Sequence, residues 1–204
     1  DETMYDDGTH GDQVGGDDIY SMQMSAPLQT HRRLIRYRIT VEDNDACSVT
    51  VPYTDDPIPN FAYFVYDGVP AWSGAIDPCG IDGNPSEDQV VTYGTDVMTS
   101  LPVYHLISRE QDVMDCQWLE RIDYTHSRAK ILYWAGTLVY DGKVYDHISF
   151  RIRGGGHRYH LGKNSWKFDF KRGHYFQARD NYDKEYNEKW DKLNLGGCNS
   201  QWTS

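Results

Sequence analysis

Apolar and polar residues alternate most strictly between Val139 and Lys171. From Val144 onward, Ile148, Phe150 and Ile152 fall on one side of an extended segment and Ser149, Arg151 and Arg153 on the other. In the next segment Trp166, Phe168 and Phe170 oppose Lys163, Ser165, Lys167 and Asp169. Side chains alternate across a strand, so each segment predicts one buried and one polar face. Asp141-Gly142 between Tyr140 and Lys143 predicts a two-residue hairpin turn with positive φ at both positions. Gly154-Gly155-Gly156 lets the backbone turn, or approach a ligand, with no Cβ in the way.

The same reading carries to the rest of the chain. Leu34–Val41 predicts a strand with Ile35, Tyr37, Ile39 and Val41 on one face, and Cys47–Val51 predicts its return across the turn Glu42–Asp45. Pro52–Asn60 holds three prolines and reads as a linker. Phe61–Tyr66 predicts an apolar strand buried on both faces. Asp67–Gln89 predicts a long loop. Leu101–Ile107 predicts a strand, followed by a helix that Ser108 caps with Gln111 as the reciprocal half of a capping box. Val113, Cys116 and Leu119 would form the apolar stripe of that helix. Ile131–Tyr140 and Trp190–Leu195 predict further strands. The expectation is a mainly β (α+β) chain: a partial β-sandwich module in residues 1–56, then an antiparallel sheet with one helix in residues 57–204.

Composition supports a globular β protein: aromatics make up 14% of 204 residues, with 16 Tyr, although mean hydropathy is low at −0.72. Charge changes the picture more. The net charge is −11, yet the first twenty residues carry seven Asp or Glu and no Lys or Arg, while Lys143–Lys192 carries twelve Lys or Arg against seven acids. That asymmetry points to a local anion site in the carboxyl half and away from general nucleic-acid binding. If the two alternating strands pair, Arg151, Arg153, Lys163 and Lys167 share a polar face. Like charges there repel, and a bound phosphate would relieve them; a solvated face, or pairing to Asp169 and Glu185, would do so equally.

Asp6, Asp7, Asp12 and Asp17 lie in the glycine-punctuated start DETMYDDGTHGDQVGGDD. Carboxylates in such turns bind their own backbone, and the same oxygens could ligate Ca²⁺, although no EF-hand pattern is present. Cys47, Cys79, Cys116 and Cys198 are widely spaced, which excludes a Cys-x-x-Cys zinc site and leaves three disulfide pairings or free thiols open. His157 and His160 flank Arg158 without a third ligand in view. No Gly-x-Ser-x-Gly elbow and no apolar run long enough to span a membrane occur. The chain does not begin with Met and reads as a processed product or fragment.

Arg153-Gly154-Gly155, then Lys163-Asn164-Ser165-Trp166-Lys167-Phe168-Asp169-Phe170, then Lys192-Leu193-Asn194-Leu195, resembles the amino-terminal part of the spore-coat-protein-H (CotH) kinase-like family. Its pattern is an Arg-Gly turn, a Lys-x-Ser-aromatic-Lys strand and a Leu-Asn-Leu strand; Leu101–Tyr104 and the helix after it also match. The likeness covers about Leu101 to Leu195. It implies a protein-kinase-like fold and phosphate transfer from Mg-ATP to protein hydroxyls. By resemblance, Lys163 is the nucleotide-binding lysine, with Lys167 second, Arg153 in support, and Gly154 and Gly155 offering backbone N–H groups. A helical Glu that pairs the lysine would be Glu110 or Glu120. The family's catalytic and metal-binding aspartates lie past the Leu-Asn-Leu strand, so these residues alone are expected to be inactive. The pattern DDGxHGDxxxGDDxY before Tyr-Arg-Ile-Thr-Val-Glu-Asp is similar to the carboxyl half of immunoglobulin- or fibronectin-like modules of extracellular proteins. Together these imply an extracellular or cell-surface setting with a protein substrate. The other reading is a non-catalytic surface module whose aromatic strands bind a glycan or a neighbouring protein.

Overall fold

The structure, a computed structural model, describes residues 1–75, 90–118, 132–153 and 164–196. It is mainly β, with antiparallel pairing in the five-stranded sheet and in the β2–β3 and β5–β6 pairs. The strands are β1 (Arg33–Tyr37), β2 (Ile39–Glu42), β3 (Ser48–Val51), β4 (Phe61–Val65), β5 (Trp72–Ala75), β6 (Val90–Tyr93), β7 (Tyr104–Ile107), β8 (Trp134–Tyr140), β9 (Lys143–Arg153), β10 (Ser165–Asp169) and β11 (Lys192–Leu195). Among the described residues two α-helices accompany them, the single turn α1 (Thr95–Met98) and α2 (Glu110–Trp118).

The chain divides into two compact units. The first comprises Asp1–Ile35 with Phe64–Asp67, and the second Arg36–Tyr63 with Gly68–Ser204. The proline-rich stretch falls inside the second unit and is docked there. Ile58 is buried, Asp56 Oδ1 accepts from the Ile58 amide at 2.8 Å, and Asn60 binds Asp146. The predicted strand over Leu34–Val41 is two strands separated at Arg38. β2 pairs β3 with Val41 opposite Val49, while β1 pairs β4.

The second unit is built on a five-stranded sheet in the order β11-β10-β9-β8-β7. Asp141 (φ 49°) and Gly142 (φ 69°) make the tight β8–β9 turn, the left-handed backbone that an Asp-Gly pair adopts readily. β9 and β10 pair in the register Ile152–Trp166, Arg151–Lys167 and Phe150–Phe168, so the two alternating patterns align face to face. Ile148, Phe150, Ile152, Phe168 and Leu193 are buried together with Leu138, Tyr145 and Phe176. Val113 and Cys116 of α2 pack on that core, so the helix covers the apolar face and leaves the opposite face to charged side chains. Gly136 stands where a Cβ would meet Ile107 O and Phe150 at 3.1 Å, which explains a glycine inside β8.

The helix begins one residue later than its sequence signature suggests, and the capping box does not form. Ser108 Oγ donates instead to Ala135 O on β8 at 2.8 Å, and Gln111 Nε2 donates to Asp115 Oδ1 at 2.7 Å. The first turn is braced by a bidentate Arg109–Asp112 pair at 2.8 and 2.9 Å. A cap works by accepting a helix amide, and among the described residues Ser108 Oγ makes its bond as a donor to the strand instead.

Candidate functional site

The polar face of the sheet carries two charged clusters, both positioned by β9. The first was not visible as a site in the sequence. Between Gly136 and Leu138 the β8–β9 ladder slips: Leu138 faces Tyr145, but Gly136 faces Ile148. Thr137 therefore opposes both Asp146 and His147, and His147 takes φ 51° to accommodate the extra residue. The bulge holds the Asp146 carboxylate in a buried position, 3% exposed, where five donors reach it. Arg36 gives Nε to Oδ2 at 2.6 Å and Nη2 to Oδ1 at 2.8 Å. Thr137 Oγ1 donates at 2.6 Å, Asn60 Nδ2 at 2.9 Å and the His147 amide at 2.8 Å. His147 Nε2 lies 2.7 Å from Asn60 Oδ1, so the ring orients the amide that in turn binds the carboxylate. Burial pushes the Asp146 carboxyl up, but the Arg36, Thr137, Asn60 and amide hydrogen bonds outweigh it and hold it well below the usual carboxylate range. The same contact raises the Arg36 guanidinium.

The second cluster lies further along the same face and contains the predicted phosphate-site residues that are described. Arg151 on β9 and Lys167 on β10 stand directly opposite one another. Tyr133, just before β8, fills the space beside them. Its hydroxyl accepts from Lys167 Nζ at 2.8 Å, and its ring centroid is 5.3 Å from the Arg151 guanidinium carbon and 5.4 Å from Lys167 Nζ. The lysine thus sits off the hydroxyl end of the ring, bound through that oxygen, and the guanidinium is the cation placed to meet the ring itself. Asp169 Oδ1, buried and without a hydrogen bond, is 3.5 Å from Lys167 Nζ. Across β11 the carboxylate faces Lys192, whose own ammonium donates to Asp191 at 2.9 Å. Lys167 is only 18% exposed, so it is a held cation and not a splayed one.

Arg153 is exposed at the end of β9 opposite Ser165. The expected fourth cation, Lys163, lies outside the described residues, as do Gly154, Gly155, Gly156, His157, His160, Glu120, Cys79 and Cys198. Glu185, one acid the sequence offered as a partner for this face, pairs instead with Arg179, which also binds Asp141 and Asp183 at 3.1–3.3 Å. Glu110 opens α2.

No protein-family model matches the chain, and no curated protein or solved structure is significantly similar to it. Function therefore rests on the residues themselves.

In the first unit the aspartates fold the backbone around their own oxygens. Asp6 accepts from the amides of Gly16, Asp17 and Asp18 at 2.6–3.1 Å. Asp7 accepts from the Thr9 amide at 2.8 Å and its hydroxyl at 2.6 Å, Asp12 from the Gly8 amide at 2.8 Å, and Asp17 from the Ile19 amide at 3.0 Å. The Thr9 hydroxyl lowers the Asp7 carboxyl. Among the described residues no three His, Cys, Asp or Glu side chains group as a metal site. Cys47 is a free thiol, and buried Cys116 Sγ accepts from the Ile152 amide at 3.2 Å.

Sequence reasoning did not pick out Tyr133 or Asp146. A signal for Asp146 was present: apolar Tyr145 and Ile148 are three apart, a phase slip in an otherwise two-residue repeat that marks a bulge. Tyr133 gave none, because its partners come from strands distant in sequence.

Proposed function

We propose that the five-stranded sheet is the nucleotide-side part of a phosphotransferase resembling the CotH kinase-like family, which takes phosphate from Mg-ATP to protein hydroxyls outside the cell or at its surface. The observation that carries this reading is the direct opposition of Arg151 and Lys167 on the polar face of β9 and β10. Two cations at adjacent strand positions attract an anion more strongly than either alone, and a guanidinium beside an ammonium suits a polyphosphate chain. Asp169, beside Lys167, is the carboxylate in place to orient that lysine. Lys163 and the Gly154–Gly155 amides enter through the sequence resemblance, and with them Mg²⁺ carried by the nucleotide. The amino-terminal aspartates Asp6, Asp7, Asp12 and Asp17 carry a secondary proposal of Ca²⁺ binding; Asp7, Asp12 and Asp17 each use one oxygen for a backbone amide, while Asp6 uses both.

The test is thermal unfolding with Mg-ATP. Binding to the folded state alone adds RT ln(1 + [L]/Kd), about 2.7 kcal/mol at a hundredfold excess over Kd. The expected result is a rise in Tm with millimolar Mg-ATP that is abolished in Arg151→Ala/Lys167→Ala. No shift for the wild-type chain rejects the reading.

A second reading has its own observation. The segment from Phe176 to Trp190 folds back on itself through paired amide–carbonyl bonds at 2.8 and 2.9 Å, and displays Tyr186 and Trp190 rings 5.4 Å apart with Tyr182 92% exposed beyond them. Exposed rings on an anchored hairpin suit a glycan or a protein neighbour, and that binding would survive loss of both cations.

A further inference from the structure

We infer that Tyr133 is a gate on the Arg151–Lys167 anion site, holding the two cations closed until a phosphate displaces it. The inference rests on the phosphate-site reading above and assigns its regulation.

Three contacts define the gate. The hydroxyl takes a hydrogen bond from Lys167 Nζ at 2.8 Å. The ring lies 5.4 Å from that ammonium and 5.3 Å from the guanidinium carbon of Arg151. The phenol oxygen thus holds the hydrogen bond from Lys167 that a phosphate oxygen would take, with the Arg151 guanidinium beside the same ring. Lys167 has three N–H donors. One is given to Tyr133 and the carboxylate of Asp169 sits 3.5 Å away, with only 18% of the side chain open to solvent. Among the described residues, a phosphate gains the donor that points at the phenol by replacing the phenol.

The backbone position of Tyr133 suits a side chain that leaves. It precedes Trp134, the first residue of β8, and the β8–β9 ladder begins at the Trp134–Phe150 pair. Rotating Tyr133 away breaks no ladder hydrogen bond and leaves the apolar face untouched. A gate of this kind lowers apparent affinity by the fraction of molecules in which it stands open. Removing it restores that fraction.

The experiment is isothermal titration of the 204-residue chain and its Tyr133→Ala and Tyr133→Phe variants with Mg-ATP and with inorganic tripolyphosphate, with circular dichroism to establish folding. Tyr133→Phe keeps the ring and loses only the hydroxyl contact, so it tests the gate with the packing retained. The expected result is tighter binding of both ligands, about tenfold in Tyr133→Ala, the scale of one hydrogen bond to a charged group, and a smaller gain in Tyr133→Phe. Wild-type binding that stays equal or weakens in both folded variants overturns the gate while leaving the phosphate site standing. If neither ligand binds the wild type or either variant, the phosphate site itself is rejected and the gate falls with it.

Discussion

The two charged clusters on β9 are built from the same kinds of residue and behave oppositely. Around Asp146 one carboxylate receives five hydrogen bonds, including a bidentate guanidinium. Around Lys167, opposite Arg151, the described carboxylate is Asp169, which approaches only to 3.5 Å, and the Tyr133 phenol takes the lysine's hydrogen bond. A complete cluster is a structural joint: every lone pair has a donor, and nothing is left to recruit a ligand. A cluster in which a lysine gives its hydrogen bond to a neutral phenol is one that an external anion can rearrange. Residue type alone would have suggested the reverse, since Asp-His-Arg sets are familiar in catalysis.

The largest break in this contrast comes from the joint. Asp146→Ala leaves Arg36, Thr137 and Asn60 without their shared acceptor. The loss should be about 3 kcal/mol, below the upper range for breaking a buried ion pair because Arg36 is half exposed; urea unfolding midpoints measure it. Next is acid sensitivity. The Asp146 carboxyl is depressed in the folded state, so its contribution is complete above the unfolded carboxylate pKa of about 3.9 and is lost as pH falls toward the lower folded value. Wild-type stability should decline below about pH 4, and Asp146→Asn should flatten that decline from a lower starting value. Unchanged slopes in a pH series of unfolding curves would show that Asp146 is not the group responsible.

The open cluster should respond more weakly to the same treatment. Lys167→Met keeps the aliphatic stem but removes the hydrogen bond to Tyr133 and the cation beside buried Asp169 Oδ1, so stability should fall by about 1–2 kcal/mol, less than in Asp146→Ala. A loss as large as that of Asp146→Ala would make this cluster a second joint. Smallest of all, Tyr182→Ser should lie within about 0.5 kcal/mol, since the side chain is 92% exposed. A glycan-array signal lost in that variant would instead favour the aromatic hairpin as the binding surface.

Much of the sheet could be read from the order of residues, and for a definite reason. Where one face is buried, a two-residue repeat determines register, so Ile148, Phe150, Ile152 and Phe168 could be placed inward before any coordinates. The Asp141-Gly142 turn was legible because few dipeptides adopt its backbone. The cation pair followed from the same repeat once two strands were paired. What could not be read depended on partners distant in sequence. Ser108 looks like a helix cap because a cap is its local option, yet the carbonyl it chose belongs to Ala135. Pro52–Asn60 looks like a linker because of its prolines, yet Asn60 is bound to a residue 86 positions away. Arg36, Asn60, Thr137 and Asp146 share no local pattern, and only the fold brings them together.

The bulge at His147 has a further consequence for how this strand tolerates change. Removing that one residue would set Thr137 against Asp146 and keep Gly136 against Ile148, which is ordinary antiparallel pairing with every inward side chain still inward. The additional position is thus unnecessary to the hydrophobic layering, and what it provides is the amide and imidazole that steady a lone acid. A shortened β9 should keep its architecture while losing the fastening of the Arg36 and Asn60 segments, so the two properties can be varied separately.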